Sequence, residues 1–248
     1  IPDIYAVGDA VLVKHTITDK EAVISLAGPA NKQGRIAADN ICGRNSRYKG
    51  SMGTSVIKLF DLTAASVGLT EKAAKDSGYD FESVILSPSS HAGYYPGATT
   101  MTMKVVFDKS SLKILGAQIV GYDGVDKRID VIATAISAGL KATELKDLEL
   151  AYAPPYSSAK DPVNMAGFII DNIASGIVKQ FHINEIDTLP KDGSFTLLDT
   201  RTEKEYSRGH VEGFINIPVD SLRERLSEID KTKPVYVMCQ SGLRSYIS

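Results

Sequence analysis

Two β-favouring runs, Thr100 to Phe107 and Leu112 to Val120, are separated only by Asp108-Lys-Ser-Ser, and this pairing constrains the fold more than any other feature. So short a polar break between β-branched and apolar runs is a hairpin signal, so the two strands are expected to be antiparallel neighbours. Thr54 to Phe60, Thr63 to Val67 and Ser83 to Leu86 read as further strands, and Thr70-Glu-Lys-Ala-Ala-Lys as a short capped helix. Asp126 to Ala138 and Asp161 to Ser175 carry apolar residues at helical spacing. Strands segregated from two helices predict an α+β layer from about Gly53 to Gly176. Its apolar helix faces could cover its own sheet or a second subunit.

A different pattern stands near the carboxyl end, where Pro234-Val-Tyr-Val-Met-Cys239 is a short apolar strand running into Gln240-Ser241-Gly242-Leu243-Arg244-Ser245. A cysteine where a strand runs out and a helix begins can be wrapped by backbone N–H groups. Such a ring, the helix N-terminus and the Arg244 guanidinium all stabilise negative charge and lower a thiol pKa. Cys239 is therefore a candidate nucleophile or sulfur carrier, although most buried cysteines are only small apolar residues.

At the other end, residues 1 to 10 read as a buried strand ending in Gly8-Asp9, where open α/β sheets bind ligands. A carboxylate there accepts hydrogen bonds from a sugar or polyol, and Gly8 permits close approach. Residues 21 to 42 follow with apolar residues at helical spacing, Ile24, Ala27, Ala30, Ile36, Ala37 and Ile41.

Composition excludes several classes. Net charge is −2 with dispersed Lys and Arg, which gives no electrostatic footprint for nucleic acid. The longest apolar-looking stretch, Val131 to Leu140, is too short for a bilayer. Four scattered histidines suggest no metal site, and two distant cysteines, Cys42 and Cys239, suggest a reducing, cytoplasmic compartment. Cys42, near a helix end, is expected to be packing.

Asp199-Thr-Arg201, then Gly209-His210-Val-Glu-Gly213-Phe-Ile-Asn216-Ile-Pro218, then Cys239-Gln-Ser-Gly242-Leu-Arg244-Ser245 together resemble the rhodanese (sulfurtransferase) family. The resemblance implies that Cys239 carries a persulfide cradled by the amides of Gln240, Ser241, Gly242, Leu243 and Ser245. Arg244 would orient the loop or hold an anionic donor. Asp199 and Arg201 read as a structural ion pair, and His210 as a hydrogen-bonder that fixes a turn. Related phosphatases place five residues between Cys and Arg; here four intervene, which implies the smaller, sulfur-sized cradle.

The amino-terminal strand and helix resemble the second FAD-binding motif of the flavoprotein disulfide reductases. That likeness implies Gly8 and Asp9 at the ribityl chain, and the amides of Leu26 and Ala27 at the isoalloxazine. No G-x-G-x-x-G unit is present for the ADP half of FAD or for a nicotinamide, so the flavin site is expected to be a half-site and the chain a piece of a longer enzyme. Residues 51 to 176 then resemble the dimerisation domain of that family. The His-x-x-x-x-Glu of glutathione- and lipoamide-type enzymes is missing from residues 140 to 176. In its place stand His91-Ala-Gly-Tyr94-Tyr95-Pro96 and Leu148-Glu-Leu-Ala-Tyr152-Ala-Pro154-Pro155-Tyr156, the latter close to a signature of the coenzyme A-disulfide reductase and NADH oxidase branch. Tyr94 and Tyr152 are then the residues implied to donate to a departing sulfur. Asn31 and Lys160 are weaker candidates for contacting coenzyme A, and Pro154-Pro155 is expected to hold an extended loop.

The combined expectation is an α/β and α+β chain: residues 1–50 the C-terminal part of an FAD-binding domain, 51–176 a dimerisation domain, 177–190 a linker, and 191–248 an α/β rhodanese domain incomplete at its C-terminus. The implied whole is a homodimeric NAD(P)H:coenzyme A-disulfide or persulfide reductase using FAD, with NAD(P)H and coenzyme A as substrates and with small-molecule thiols, disulfides or persulfides as partners. The alternative is an NADH oxidase or peroxidase in which the rhodanese unit senses or docks.

Overall fold

The computed structural model describes residues 4–190 and 192–248. They form two compact units, Ile1–Ser175 and Gly176–Ser248, each taken by itself below.

The first unit opens with a 3-10 turn, Gly8–Ala10, then a two-stranded ribbon of β1 (Val13–Lys14) and β2 (Glu21–Ala22), then α1 (Ala27–Ile41). The buried strand expected before Gly8 is not formed over residues 4–7, and residues 1–3 lie outside the described residues. Ile4, Tyr5 and Val7 are 65%, 49% and 42% exposed. A strand needs a neighbour for its backbone N–H and C=O groups, and among the described residues none is hydrogen-bonded in register with this segment. The helix also starts later than its apolar spacing suggested, because Glu21 and Ala22 pair with β1 instead. Pro29 is tolerated in the first turn of α1, where its missing N–H has no partner to lose.

The central sheet consists of β3 (Ser55–Leu59), β4 (Leu62–Gly68), β5 (Phe81–Leu86), β6 (Thr102–Asp108) and β7 (Ile114–Gly121), all antiparallel in the order β3-β4-β7-β6-β5. The predicted hairpin joins β6 to β7. Its turn is held by the Asp108 carboxylate, which accepts from the Ser111 N–H at 2.7 Å and from both serine hydroxyls. Helix α2 (Glu71–Asp76) is capped as read, the Thr70 hydroxyl accepting from the Ala73 N–H at 3.2 Å.

Helices α3 (Val125–Ala138) and α4 (Pro162–Ala174) supply the other half of the core. Met103, Val105, Phe107, Ala117 and Ile119 from the sheet pack with Ile129, Ile132 and Ala135 of α3 and with Val163, Ala166 and Ile170 of α4. The larger of these each contribute about 1.5–3 kcal/mol on burial. Gly167 lets α4 approach a 3-10 turn, Ala142–Asp147, so closely that an added Cβ would lie 2.2 Å from the Lys146 nitrogen. The ribbon is tied to this layer: Ile17 packs on Leu69 and Leu115, and the Tyr79 hydroxyl donates to the Ile17 carbonyl at 2.8 Å.

The second unit is α/β. Strands β8 (Thr196–Asp199), β9 (Ile215–Asn216) and β10 (Val235–Met238) form a parallel sheet in the order β10-β8-β9. Helices α5 (Glu203–Arg208), α6 (Val219–Leu222) and α7 (Leu243–Ile247) follow the three strands in turn. Residues 177–190, expected as a linker, are packed onto this sheet. Ile186 and Leu189 are buried, and the Phe181 ring meets Tyr236 edge-on at 5.6 Å. Leu189 and Phe181 pack with Leu197, Phe214, Tyr236 and Met238, so the segment covers a face of the sheet.

Candidate functional site

Strand β10 ends one residue before Cys239, and the chain turns at Gly242, whose φ of +93° is left-handed, before entering α7. The Gly242 N–H donates to the Cys239 sulfur at 3.1 Å, and the Ser245 hydroxyl lies 3.6 Å from it. Burial pushes the thiol up, but the amides of Ser245, Ser241 and Gly242 and the Ser245 hydroxyl outweigh it, so the thiol sits below its ordinary value. Gln240 and Leu243 are exposed members of the same loop.

The Arg244 guanidinium grips Glu205 through two parallel bonds of 2.7 and 2.8 Å. Glu205 in turn accepts from the Thr202 N–H and hydroxyl, closing the capping box that starts α5. Its carboxyl is held far below the usual range by Arg244 first and Thr202 second, and Arg244 is raised by the same contact with a smaller push from Cys239. Underneath, Asp199 is fully buried and paired with Arg201 at 2.6 Å, as read from the D-x-R spacing. Arg201 also donates to the Gly209 carbonyl, and the Asn216 amide donates to the carbonyls of residues 199 and 201. His210 stacks on Tyr206 at 3.8 Å, its ring nitrogen 3.1 Å from the Tyr206 carbonyl, which is a turn-fixing position.

In the first unit, Tyr94 and Tyr152 come from loops 58 residues apart, and their hydroxyls meet at 2.7 Å. Both rings are exposed, at 78% and 46%. The Tyr152 phenol is raised above its ordinary value, chiefly by its hydrogen bond with Tyr94. A cavity of about 460 Å³ lies beside the pair, lined by Tyr152, Tyr156, Gly124 and Lys127 among others. Pro154 and Pro155 do not hold an extended loop: they sit in a tight turn closed by the Tyr156 N–H on the Ala153 carbonyl at 2.9 Å. The fixed φ of proline suits the second position of such a turn.

Asp9 lies exposed in its 3-10 turn, and the preceding Gly8 has φ +81° with its N–H donating to the buried Gln33 side chain of α1 at 2.8 Å. That bond sets the turn against the second turn of α1. Leu26 is the N-cap, no side chain caps the helix, and no acid sits in its first turn. An exposed carboxylate and uncapped helix amides fit a ligand carrying both hydroxyls and a delocalised anion. Asn31 is exposed on α1, and the Lys160 ammonium sits over the Phe168 ring at 5.4 Å. Cys42, expected to be packing, is exposed at the C-cap of α1. Its helical phase points it away from the face that Gln33 buries.

Residues 54–162 match the model of the pyridine nucleotide-disulphide oxidoreductase dimerisation domain, and residues 182–248 match the rhodanese-like domain. The chain therefore joins a disulphide-oxidoreductase dimerisation domain to a rhodanese-like domain. A coenzyme A disulfide reductase of Staphylococcus haemolyticus (strain JCSC1435) is 42% identical over 169 residues, which is 68% of this chain and 38% of that protein. The crystal structure of reduced Bacillus anthracis CoADR-RHD superposes with a TM-score of 0.93 at 53% identity, covering 99% of this chain and 44% of that one. A NAD-dependent persulfide reductase from A. fulgidus superposes at 0.89 with 40% identity, covering 100% and 44%. The chain thus spans well under half the length of these relatives, and it is similar to their C-terminal portion.

Two residues of these domains escaped the sequence reading. Glu205 of the rhodanese-like domain was legible as the fourth member of the capping box Thr202-x-x-Glu205, although its grip on Arg244 was not. Arg128 of the dimerisation domain is 1% exposed among the apolar residues of α3, and it donates to Asp161, Ser90, Tyr156, Ser157 and Gly124. A lone charge inside an apolar helical stripe was the only signal for it.

Proposed function

We propose that this chain is the C-terminal portion of a cytoplasmic, homodimeric, FAD-dependent NAD(P)H:coenzyme A-disulfide or persulfide reductase, and that its rhodanese-like domain carries a cysteine persulfide. The observation that carries the reading is the ring of amides turned on a half-buried Cys239 whose thiol is drawn down. The Cys239 thiolate attacks the outer sulfur of a donor R–S–SH, forming Cys239–S–SH and releasing RS⁻. An acceptor thiol then takes that outer sulfur, leaving as its own persulfide and returning Cys239 to the thiol. The amides of residues 240–245 stabilise the thiolate before attack and the persulfide anion after it. Arg244, clamped by Glu205, orients the loop in this reading.

In the first unit Asp9, Gly8 and the amides of Leu26 and Ala27 would hold the FAD. When bound, FAD supplies two-electron transfer between a nicotinamide and the disulfide-reducing centre. Tyr94 and Tyr152 act on the substrate side: one phenol donates to the departing thiolate while the other donates to the first phenol, so the pair delivers a proton without a charged acid near neutrality. Asn31 and Lys160 contact the coenzyme A moiety.

The test is NADH consumption by the full-length protein against coenzyme A disulfide, coenzyme A persulfide, polysulfide and oxygen. Tyr152→Phe should slow disulfide and persulfide reduction alike. Cys239→Ser should abolish polysulfide turnover and leave disulfide reduction intact. Equal loss of both activities in Cys239→Ser, or turnover of oxygen alone, would overturn the reading.

A further inference from the structure

The phenol pair is made by two loops that have no regular structure of their own, yet its oxygens stand at hydrogen-bond distance. One stitch is direct, the Ala92 N–H donating to the Ser157 carbonyl at 3.0 Å. The second passes through a single side chain. Arg128 is buried in α3, and its Nη2 donates to the Ser90 carbonyl at 2.8 Å in the loop that leads to Tyr94. The same nitrogen donates to the Tyr156 carbonyl and the Ser157 hydroxyl, each at 3.3 Å, in the loop that follows Tyr152. Its Nε donates to Asp161 at 3.2 Å, and Asp161 is itself fixed, accepting from the Ser157 hydroxyl at 2.7 Å and capping α4 through the Val163 N–H at 3.0 Å. Nη1 donates to the carbonyl of Gly124, where an added Cβ would stand 1.9 Å from that nitrogen.

We propose that Arg128 is the positioning residue for the Tyr94–Tyr152 pair: one planar guanidinium, locked by Asp161 and seated over Gly124, sets the spacing of the two tyrosine loops. Only a fork of several rigid donors spans three carbonyls, a hydroxyl and a carboxylate at once; a lysine ammonium reaches one or two of them. Lys127 does not substitute, since its ammonium is partly exposed and stands 3.8 Å from Asp161. The catalytic meaning of that spacing rests on the reading of the two tyrosines given above. The spacing itself does not.

The experiment separates the two. The coupling of the two hydroxyls is read through ring-labelled tyrosine NMR titration of Tyr152, whose phenol the Tyr94 hydroxyl holds above its ordinary value, with Tyr94→Phe as the uncoupled reference. In Arg128→Lys, at unchanged circular dichroism, the Tyr152 phenol should fall back to where it stands in Tyr94→Phe. In the full-length reductase, kcat for coenzyme A disulfide should then fall on the order of 10²-fold with little change in KM. Gly124→Ala keeps the charge but intrudes on Nη1, and Ser157→Ala removes one hydroxyl link; if Arg128→Lys does not fold, loss of coupling in both of these carries the test. A Tyr152 phenol that stays raised in the folded variants overturns the proposal. Lost coupling with unchanged turnover upholds the positioning role and overturns the catalytic reading of the tyrosines.

Discussion

Replacing Gly242 by alanine should raise the Cys239 thiol pKa without unfolding the rhodanese-like domain. The residue has φ +93°, and an added Cβ there meets nothing within 4 Å, so the cost is backbone strain rather than a clash. Left-handed geometry costs a residue with a side chain about 1–2 kcal/mol. The loop is exposed and can shed that strain by rotating, which carries the Gly242 N–H away from the sulfur it now meets at 3.1 Å. A hydrogen bond to a charged acceptor is worth about 1.5–3 kcal/mol, so losing it should raise the thiol and move the thiol–thiolate equilibrium toward the thiol by about ten- to a hundredfold. Nucleophilicity grows as basicity grows, with a coefficient of about 0.4–0.5, so alkylation at pH 7 should slow by about three- to tenfold rather than by the full loss of thiolate. The assay is iodoacetamide alkylation against pH in a Cys42→Ser background, because Cys42 is exposed and would compete. Gly242→Asn should fall between wild type and alanine, since asparagine accepts the left-handed region more readily. An unchanged alkylation profile in Gly242→Ala would refute the amide-ring account of the thiol.

Three further outcomes follow from the same geometry. Asp199→Asn breaks a buried pair with Arg201 and should cost about 3–5 kcal/mol, read as a lower urea midpoint for the second unit; a midpoint equal to wild type would show the pair to be idle. Glu205 is depressed in the folded state, so its contribution is present above its unfolded pKa of about 4.3 and is lost as pH falls through the folded value. Glu205→Gln should therefore flatten the acid side of a stability-against-pH curve, and an unaltered curve would count against the Arg244 clamp. Gly167→Ala should overpack the contact with Lys146 and destabilise the first unit by about 1–3 kcal/mol, read as a lower thermal midpoint, whereas a neutral result would mean that α4 can slide outward.

What could be read from the residues was what short-range chemistry decides. The β6–β7 hairpin, the Thr70 cap, the D-x-R pair and the strand-to-Cys239 turn each depend on neighbours in sequence, and each stands where the pattern placed it. The pairing of Tyr94 with Tyr152 came through family resemblance, and nothing in either loop announced a 2.7 Å contact across 58 residues. Arg128 was missed because its partners are mostly backbone carbonyls, which carry no sequence signature. The strand before Gly8 was over-read: an apolar run states a preference for burial, and burial needs a surface that the described residues do not provide. The converse error fell on residues 177–190, where the short helical pattern Ile183-Asn-Glu-Ile186 was legible and is a 3-10 turn, but the packing of Phe181 and Leu189 on the sheet was not.

The parallel order β10-β8-β9 has a consequence for when the sulfur chemistry can begin. Central strand β8 emerges first and β9 second, and the strand that delivers Cys239 is the last of the three to be synthesised. Until β10 docks along β8 the amides around residue 239 have no fixed direction, and the side chain is an ordinary thiol with a pKa of about 8.5. Reactivity at residue 239 is thus conferred by the pairing of β10 with β8 and is not a property of the loop sequence alone.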